Sequence, residues 1–381
     1  MSHSALLETS EFLAIGESRL VSSRLFYEVR TVCGSWESPG LGTARLAGPG
    51  ILTRIMSEAS TGAVVVGIDL GATNMQFGVV DAGNTIIGRA RGKTEADRGQ
   101  DRIINNIVGG IHQACDQAGI SPNDLAAIGV AAAGAIDIPR GVILDAPNLK
   151  WTDVPLRDIL LRELGRPIVL DNDVNGAAWG EHRLGAGRGR GDMLGVWIGT
   201  GIGGGLVLDG RIYHGSFFTA GEIGNTIITP DRGNGEQKLE DRCSRTGMSR
   251  TLHRLMPQYP DSILHRLIPE PQKTIGSETL AQAYRQGDAL MCRVVNQAAS
   301  LLGVAIANWV TVLSLDTVII GGGVTEALGE PYLLRIRESF AKHVFPQRCR
   351  ACQLVMTRLA DDAGLLGAAL LARDAIASEA K

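Results

Sequence analysis

The sequence predicts an α/β protein, and three observations support this fold class. Short apolar runs alternate with segments of helical spacing from about residue 63 to the C-terminal end. Glycine accounts for 49 of the 381 residues, which is about 13% against ~7% in an average protein. Without a collagen-like period, this excess belongs in tight turns or in loops that approach a ligand closely. A chain of 381 residues also has room for two domains at roughly 100–200 residues each.

The spacing of apolar residues predicts the elements in chain order. A run of consecutive apolar residues between turn residues predicts a strand, and recurrence every three or four residues, as at Ile103, Ile107 and Ile111, predicts a helix. The predicted strands cover residues 63–69, 75–81, 85–87, 125–133, 168–170, 194–198, 206–208, 317–320 and 353–357. The predicted helices cover residues 101–119, 154–164, 175–184, 289–313, 332–342 and 364–375.

Two segments lack such patterns. Residues 1–62 show no sustained period, and we expect them to lie outside the folded core, with Met56 as a candidate start. A DNA-binding helix-turn-helix is the alternative for this leader, although no pair of short amphipathic helices with a Gly turn is visible. Residues 251–276 contain four prolines, and we expect a surface excursion there.

Charge and cysteine content exclude several classes of partner. The formal net charge of −3 provides no basic field that would attract nucleic acid or an anionic membrane. The six cysteines are scattered, which is typical of a reducing compartment. No uninterrupted apolar run reaches the ~18 residues of a membrane span, and the N-terminus lacks the pattern of a secretory signal. We therefore expect a cytoplasmic protein that binds neither nucleic acid nor membrane.

Two strand–turn–strand units have the same sequence pattern, an apolar strand followed by a turn rich in glycine and threonine. An apolar strand leads into a turn containing Gly71, Thr73 and Asn74, and a second one leads into Thr200 and Gly201. Such turns present backbone N–H groups that bind phosphate oxygens, although each alone could be a plain tight turn. The second turn continues into a strand, unlike a Rossmann fingerprint, and the chain contains no P-loop sequence.

A third glycine cluster follows the apolar strand 317–320. Gly322 and Gly323 stand between this strand and a helix, where the backbone can pack against a flat nucleoside. A simple helix start is the alternative for this cluster.

Several motifs together resemble one family. They are Asp69-Leu-Gly-Ala-Thr, Asn172-Asp173, Gly199-Thr-Gly-Ile-Gly-Gly-Gly, Gly221-Glu-Ile-Gly, Ile320-Gly-Gly-Gly and Asp361-Asp-Ala-Gly-Leu-Leu-Gly-Ala. In this order and spacing they resemble the ROK family of sugar kinases and sugar-responsive repressors, most closely its bacterial glucokinases, over about residues 63–376.

The resemblance implies an actin/hexokinase-like (ribonuclease H-like) fold. Such a fold has two α/β lobes with a duplicated β-sheet core, and ATP and sugar bind in the interlobe cleft. We expect an N-terminal lobe at residues 63–171, completed by a C-terminal helix at 364–378, and a C-terminal lobe at 172–363. The resemblance also implies a homodimer or homotetramer.

The same resemblance assigns roles to single residues. Asp173 matches the general base, which a sugar hydroxyl of very high pKa needs as its bond to phosphorus forms. A plain helix cap is the alternative for Asp173. Asp69 matches a residue that holds Mg²⁺ through water, with a turn-capping role as its alternative. The expected sugar-binding residues are Asn148, Asn172, Glu222, Asn225 and Glu240, of which Glu240 could instead start a solvated helix. The expected ATP-binding residues are Gly71, Thr73, Asn74, Thr200, Gly201, Gly322 and Gly323.

One departure from the family concerns a metal. ROK kinases usually carry a His and three nearby cysteines that bind structural zinc, but this chain has Asn225 at the His position and no cysteine between residues 226 and 240. Because asparagine offers zinc no imidazole, we expect no structural zinc. The lone Cys349-Arg-Ala-Cys352 pattern has no second pair and gives no metal prediction.

The sequence therefore predicts an ATP-dependent hexose kinase acting on a terminal hydroxyl, with glucose O6 as the expected acceptor. Fructose, mannose, allose and N-acetylmannosamine stay open as other acceptors, and polyphosphate as another donor. A sugar-sensing transcriptional regulator is the alternative from another class.

Overall fold

Two five-stranded β-sheets form the framework of the protein. The structure, a computed structural model, describes residues 63–229, 237–268 and 274–379. The expectations for the leader 1–62 concern residues outside this part.

The first half of the described chain carries eight strands and two long helices. In chain order they are β1 (Val65–Leu70), β2 (Asn74–Val80), β3 (Ile86–Lys93), α1 (Gln100–Ala118), β4 (Ala127–Ala132), β5 (Ala135–Asp137), β6 (Val142–Ala146), β7 (Trp151–Val154), α2 (Leu156–Leu164) and β8 (Ile168–Asn172).

The second half is richer in helices. Its elements are α3 (Asp173–Leu184), β9 (Met193–Ile198), β10 (Ile202–Leu208), β11 (Arg211–Ile212), β12 (Ile227–Thr229), β13 (Gln237–Lys238), α4 (Leu239–Cys243), α5 (Arg245–Leu255), α6 (Leu264–Leu267), α7 (Ser277–Arg285), α8 (Ala289–Leu313), β14 (Thr317–Gly321), α9 (Gly323–Leu328), α10 (Glu330–His343), β15 (Gln353–Met356) and α11 (Ala363–Glu379).

The two large sheets have the same topology. The first has the strand order β3-β2-β1-β4-β8, and the second has the order β11-β10-β9-β14-β15. In each, the third strand pairs antiparallel with the strand that follows it in the chain and parallel with a later strand. The predicted α/β class with a duplicated sheet core is therefore confirmed.

One face of the first sheet packs against α1. Ile103, Ile107 and Ile111 stand four residues apart and are fully buried, as their spacing predicts. Each such side chain contributes about 2 kcal/mol by leaving water. The helix ends where Gly119 adopts a left-handed conformation with φ of 70°, which glycine adopts without steric cost.

The second sheet packs on a larger core that contains α8. By length and composition alone this helix could cross a membrane, but 56% of its most apolar window is buried inside the protein. Leu302, Ile306 and Val310 are fully buried and belong to the same apolar cluster as residues of α10. Helix α8 is thus a core helix in the described fold.

Helices α3 and α11 lie between the two sheets and touch at their backbones. A Cβ atom placed on Gly367 would fall on the carbonyl oxygen of Gly176, and one placed on Gly180 would lie 2.5 Å from the carbonyl oxygen of Ala363. The contacts involve the first eight residues of α3 and the first five residues of α11. The starts of the two helices are therefore held close together.

The prediction of a surface excursion at residues 251–276 is wrong. Among the described residues of this segment, Leu252 and Leu264 are fully buried and Ile275 is 1% exposed. The described prolines of this segment, Pro257 and Pro260, are exposed after α5, whereas α5 and α6 pack on α8 within one apolar cluster.

Gly367→Ala should destabilise the protein by about 1–3 kcal/mol, because an added methyl group forces α3 and α11 apart. Gly109→Ala is the matched control. Its Cβ would meet no atom within 4 Å in the middle of α1, so helix propensity predicts a gain of up to about 1 kcal/mol. Urea unfolding of both variants measures the two effects. Equal stability of the two variants would contradict the close helix contact.

Candidate active site

Asp173 lies at the junction between β8 and α3. The cap of this helix is Asn172, whose Oδ1 accepts hydrogen bonds from the N–H groups of Val174 at 2.9 Å and Asn175 at 3.2 Å. Asn172 Nδ2 also donates to the carbonyl oxygen of Gly134 at 3.2 Å. Asn172 rather than Asp173 therefore caps the helix. The Asp173 carboxylate accepts one hydrogen bond within the helix, from the N–H of Val174 at 3.0 Å. The rest of this carboxylate faces a cleft.

The cleft beside Asp173 is lined by elements from both halves of the chain. It encloses about 200 Å³. Its walls are Asp69, Gln76, Asp173, Val174, Ala177, Trp197, Gly322, Gly323, Glu326, Ala360, Asp361 and Gly364. Four of these residues carry carboxylates, and none of the described lining residues is a lysine or arginine. The cleft is thus strongly acidic.

Burial raises the pKa of three of these carboxyl groups, those of Asp69, Asp173 and Glu326, and nearby negative charges add to the effect. Burial raises the pKa of Asp69 to about 7, and the negative charges of Asp173 and Asp361 add to the effect. Burial also raises the pKa of Asp173 above its ordinary value, with a contribution from Glu222 and opposition from the N–H of Val174. Since each shift reflects uncompensated negative charge, a cation brought into the cleft would be stabilised there.

The donor set of the cleft fits a hydrated magnesium ion. The Oε1 atom of Gln76 is buried without a hydrogen-bond partner among the described residues, while its Nε2 donates to the carbonyl oxygen of Asp361 at 3.4 Å. Together with Asp69 it offers the oxygen ligands that Mg²⁺ prefers. Within the described ranges no three His, Cys, Asp or Glu side chains are placed to bind one metal directly. Water and phosphate oxygens would therefore complete the coordination.

The glycine turns lie at the ends of equivalent hairpins. In the turn between β1 and β2, Gly71 N–H donates to the carbonyl oxygen of Asn74 at 3.1 Å, and Thr94 Oγ1 donates to the carbonyl oxygen of Gly71 at 2.7 Å. The Asn74 amide oxygen accepts from Lys93 Nζ at 2.7 Å. Thr73 is exposed at this turn. Its hydroxyl is accessible to a ligand.

The second glycine turn, between β9 and β10, is closed by a hydrogen bond from Gly199 N–H to the carbonyl oxygen of Gly201 at 3.0 Å. Thr200 and Gly201 are exposed. Next to it, Gly322 has φ of 87°, and a Cβ at this position would lie 2.7 Å from the backbone of Ile198. The turn and the Gly322–Gly323 cluster therefore meet at the end of β9.

Three polar residues beside Asp173 form a hydrogen-bonded chain. Lys238 Nζ donates to Asn225 Oδ1 at 2.9 Å, and Asn225 Nδ2 donates to Glu222 Oε2 at 3.0 Å. The charge of Glu222 reaches Asp173, because it contributes to the raised pKa there. Asn225 thus orients Glu222 next to the cleft. The sequence reasoning missed Lys238, since a lysine two residues before Glu240 carries no motif.

None of the five expected sugar-binding residues is among the lining residues of this cleft; they are Asn148, Asn172, Glu222, Asn225 and Glu240. Glu240 Oε2 accepts from Ile202 N–H at 3.4 Å, beside Gly201. Asn148 lines a different cavity together with Thr73, and both are exposed there. Of the predicted site residues, the structure therefore gathers Asp69, Asp173, Gly322 and Gly323 at one cleft and leaves the others outside its lining.

A contact between the partly exposed His214 and the buried Asp171, which the sequence reasoning missed, stabilises the strand before Asp173. His214 Nε2 lies 2.8 Å from Asp171 Oδ2, and Asn175 Nδ2 donates to Asp171 Oδ1 at 2.9 Å. Asp171 is 3% exposed. Because His214 stands in the loop that leads to Glu222, this pair ties the loop to the end of β8. No periodic pattern marks a contact across 43 residues.

The sequence is similar to a known protein family and to two known enzymes. The family model "ROK family" matches residues 65–375. A glucokinase of Halalkalibacterium halodurans is 33% identical over 313 residues, which are 81% of this chain and 94% of that enzyme. A glucokinase of Thermotoga maritima is 30% identical over 320 residues, which are 82% of this chain and 98% of that enzyme.

Solved structures and regulators also match. The crystal structure of a ROK family glucokinase from Streptomyces griseus in complex with glucose and AMPPNP is 32% identical, with a TM-score of 0.71, and the match covers 82% of this chain and 99% of that chain. A xylose repressor of Caldicellulosiruptor bescii is 26% identical over 309 residues, which are 80% of this chain and 76% of the repressor. Kinases and repressors thus share this fold.

Asp69→Asn should stabilise the ligand-free protein at pH 8 but hardly at pH 4. The folded pKa of Asp69, about 7, exceeds the ordinary value of 3.8, so the folded state binds more protons between these pH values and loses stability as pH rises through that window. Thermal unfolding of both proteins at the two pH values measures the difference. Asp116→Asn, on the exposed side of α1, is the control. An equal change in Tm at both pH values would contradict the raised pKa.

Proposed function

This chain belongs to the ROK family, and we propose that it transfers the γ-phosphoryl group of ATP to a hexose, converting glucose to glucose 6-phosphate. The observation that carries the proposal is the Asp173 carboxylate, which is released from helix capping by Asn172 and faces the acidic cleft. Glucokinase relatives at 30–33% identity over most of their length support the same reaction.

Asp173 serves as the general base of this reaction. The glucose 6-hydroxyl passes its proton to the Asp173 carboxylate while its oxygen forms a bond to the γ-phosphorus and the bond between that phosphorus and ADP breaks. The raised pKa of Asp173 makes it a stronger proton acceptor than an ordinary carboxylate. The cleft keeps the carboxylate away from bulk water.

The sugar is held by polar side chains around Asp173. Glu222, oriented by Asn225, accepts hydrogen bonds from ring hydroxyls, and one N–H of the Asn172 amide is left for the sugar because the other binds Gly134. We assign Asn148 and Glu240 to the same sugar. Since none of the five sugar-binding residues lines the ligand-free cleft, closure of the lobes would bring them towards the sugar.

The nucleotide is bound by the three glycine segments. The turns with Gly71, Thr73 and Asn74 and with Thr200 and Gly201 present N–H and hydroxyl groups to the phosphates, and Gly322 and Gly323 support the nucleoside. Asp69 and Gln76 would hold Mg²⁺ through water. When bound, the metal neutralises charge on the phosphates. The lobes 63–171, with helix 364–378, and 172–363 close around both substrates and exclude water.

The compartment, the oligomeric state and the partners of the protein are inferred from residues outside the cleft. The five described cysteines are free, which supports a reducing, cytoplasmic site of action. We propose a homodimer or homotetramer that binds neither nucleic acid nor membrane. Exposed apolar side chains such as Val312 and Phe345 support self-association. Light scattering of the purified protein measures the mass of the assembly.

A panel of substrates tests the reaction. ADP release is measured with glucose, fructose, mannose, allose and N-acetylmannosamine, with ATP or polyphosphate as donor, and DNA retention is measured in parallel at low salt. The proposal expects the highest kcat/KM with glucose and ATP. A protein that retains DNA and releases no ADP with any sugar would instead be a regulator.

Asp173→Asn should lower kcat by about a hundredfold to ten-thousandfold, since the amide cannot accept the hydroxyl proton, while the Kd for glucose changes little. Calorimetry and a coupled assay measure the two quantities. Asp116→Asn, exposed on α1, should leave both unchanged. Near-normal turnover of Asp173→Asn would remove the base assignment.

The purified protein should contain no stoichiometric zinc. Asn225 stands where the family has its zinc-binding His. Its side chain is hydrogen-bonded to Lys238 and Glu222 instead, which supports this expectation. Elemental analysis after purification without chelators measures the metal. One zinc per chain that survives dialysis would refute the expectation.

A further inference from the structure

Arg245 is a cation at the second glycine turn that none of the assignments above uses. It is the first residue of α5, directly after the helix cap Ser244. We infer that its guanidinium binds a phosphate group of the nucleotide donor beside Thr200 and Gly201. This inference rests on the proposed function, because it assumes a nucleoside triphosphate at that turn.

The backbone of Arg245 is attached to the turn. Its N–H donates to the carbonyl oxygen of Gly199 at 2.9 Å, and the N–H of Thr246 donates to the carbonyl oxygen of Thr200 at 3.4 Å. The start of α5 therefore moves with the glycine turn. Whatever ligand approaches the turn also approaches Arg245.

The side chain of Arg245 is held over the same turn. Its Nη2 donates to Thr200 Oγ1 at 2.7 Å. Its Nε is buried and has no hydrogen-bond partner among the described residues. No carboxylate of the described chain lies within salt-bridge distance of the guanidinium, whereas Arg250 on the same helix pairs with Asp241 at 2.9 Å. A guanidinium with unused donors at a phosphate-binding turn fits an anion.

The charge balance of the site favours the same conclusion. The cleft beside Asp173 is lined by four carboxylates and, within the described residues, by no lysine or arginine. A triphosphate entering it would meet repulsion unless cations accompany it. The turn to which Arg245 is hydrogen-bonded begins directly after Ile198, whose backbone packs against Gly322 in the cleft wall. Arg245 therefore contacts the glycine turn that adjoins the cleft wall, outside the residues that line the cleft.

The alternative is that Arg245 only fastens α5 to the turn. A fastening role predicts loss of stability and equal damage to the binding of both substrates. A phosphate-binding role predicts selective damage to nucleotide binding, which a lysine would partly restore because it keeps the charge without the planar donor pattern. The two roles are therefore separable.

The experiment compares Arg245→Met, Arg245→Lys and the control Arg250→Ala in the full chain. Arg245→Met should raise the KM for ATP and the Kd for Mg·ADP, measured by calorimetry, by about tenfold to hundredfold, as expected for a lost charged hydrogen bond. The KM for glucose and the thermal midpoint should change little, Arg245→Lys should fall between the wild type and Arg245→Met, and Arg250→Ala should match the wild type.

The outcomes separate this inference from the proposed function. An unchanged Kd for Mg·ADP in Arg245→Met would overturn the inference, and so would an equal rise of both KM values together with a lowered thermal midpoint. Wild-type protein that phosphorylates no sugar would overturn the proposed function. In that case calorimetry with Mg·ADP still decides whether Arg245 binds nucleotide.

Discussion

The site depends on the direct backbone contact between α3 and α11. Only glycine lets the helices approach this closely, because a side chain at 367 would collide with the carbonyl oxygen of Gly176. The contact fixes the starts of both helices. Asp173 begins one of them, and Gly364 in the first turn of the other lies against Asp69, where an added Cβ would be 3.1 Å from the carboxyl carbon. Carboxylates from three distant parts of the sequence therefore share one cleft.

This crowding explains the electrostatics of the ligand-free protein. Asp69 is buried near Asp173 and Asp361, and its pKa rises to about 7 as a result. Such an arrangement costs stability without ligands. It becomes favourable when cations arrive with a triphosphate, since the same carboxylates then face positive charge. The carboxylates that lower the stability of the folded, ligand-free protein are thus the ones proposed to act as the base and to hold the metal.

The sequence predicts the framework better than it predicts the side-chain contacts. Helix α1 was predictable because Ile103, Ile107 and Ile111 repeat at helical spacing, and the paired hairpins were predictable from their glycine turns. Strands β5, β6 and β7 were missed because each contains an aspartate that interrupts its short apolar run. Helices α5 and α7 were missed because prolines at positions 257, 260, 269 and 271 suggested a loop between them.

The same limit applies within the site. The Asn172-Asp173 motif located the strand-to-helix junction, but only the structure shows that Asn172 takes the cap and leaves Asp173 to the cleft. His214, Lys238 and Arg245 act through partners 43, 13 and 45 residues away. Hydrogen bonds over such separations depend on tertiary packing, which local spacing does not encode. Sequence reasoning therefore predicted the residues proposed to react and missed His214, Lys238 and Arg245, whose contacts form only in the folded chain.

A crystal structure with glucose and a non-hydrolysable ATP analogue tests the central claim most directly. The account predicts an Asp173 carboxylate oxygen within about 3 Å of the glucose 6-hydroxyl, with that hydroxyl directed at the terminal phosphorus. A complex in which the hydroxyl approaches the phosphorus while the Asp173 carboxylate contacts only protein atoms would contradict it.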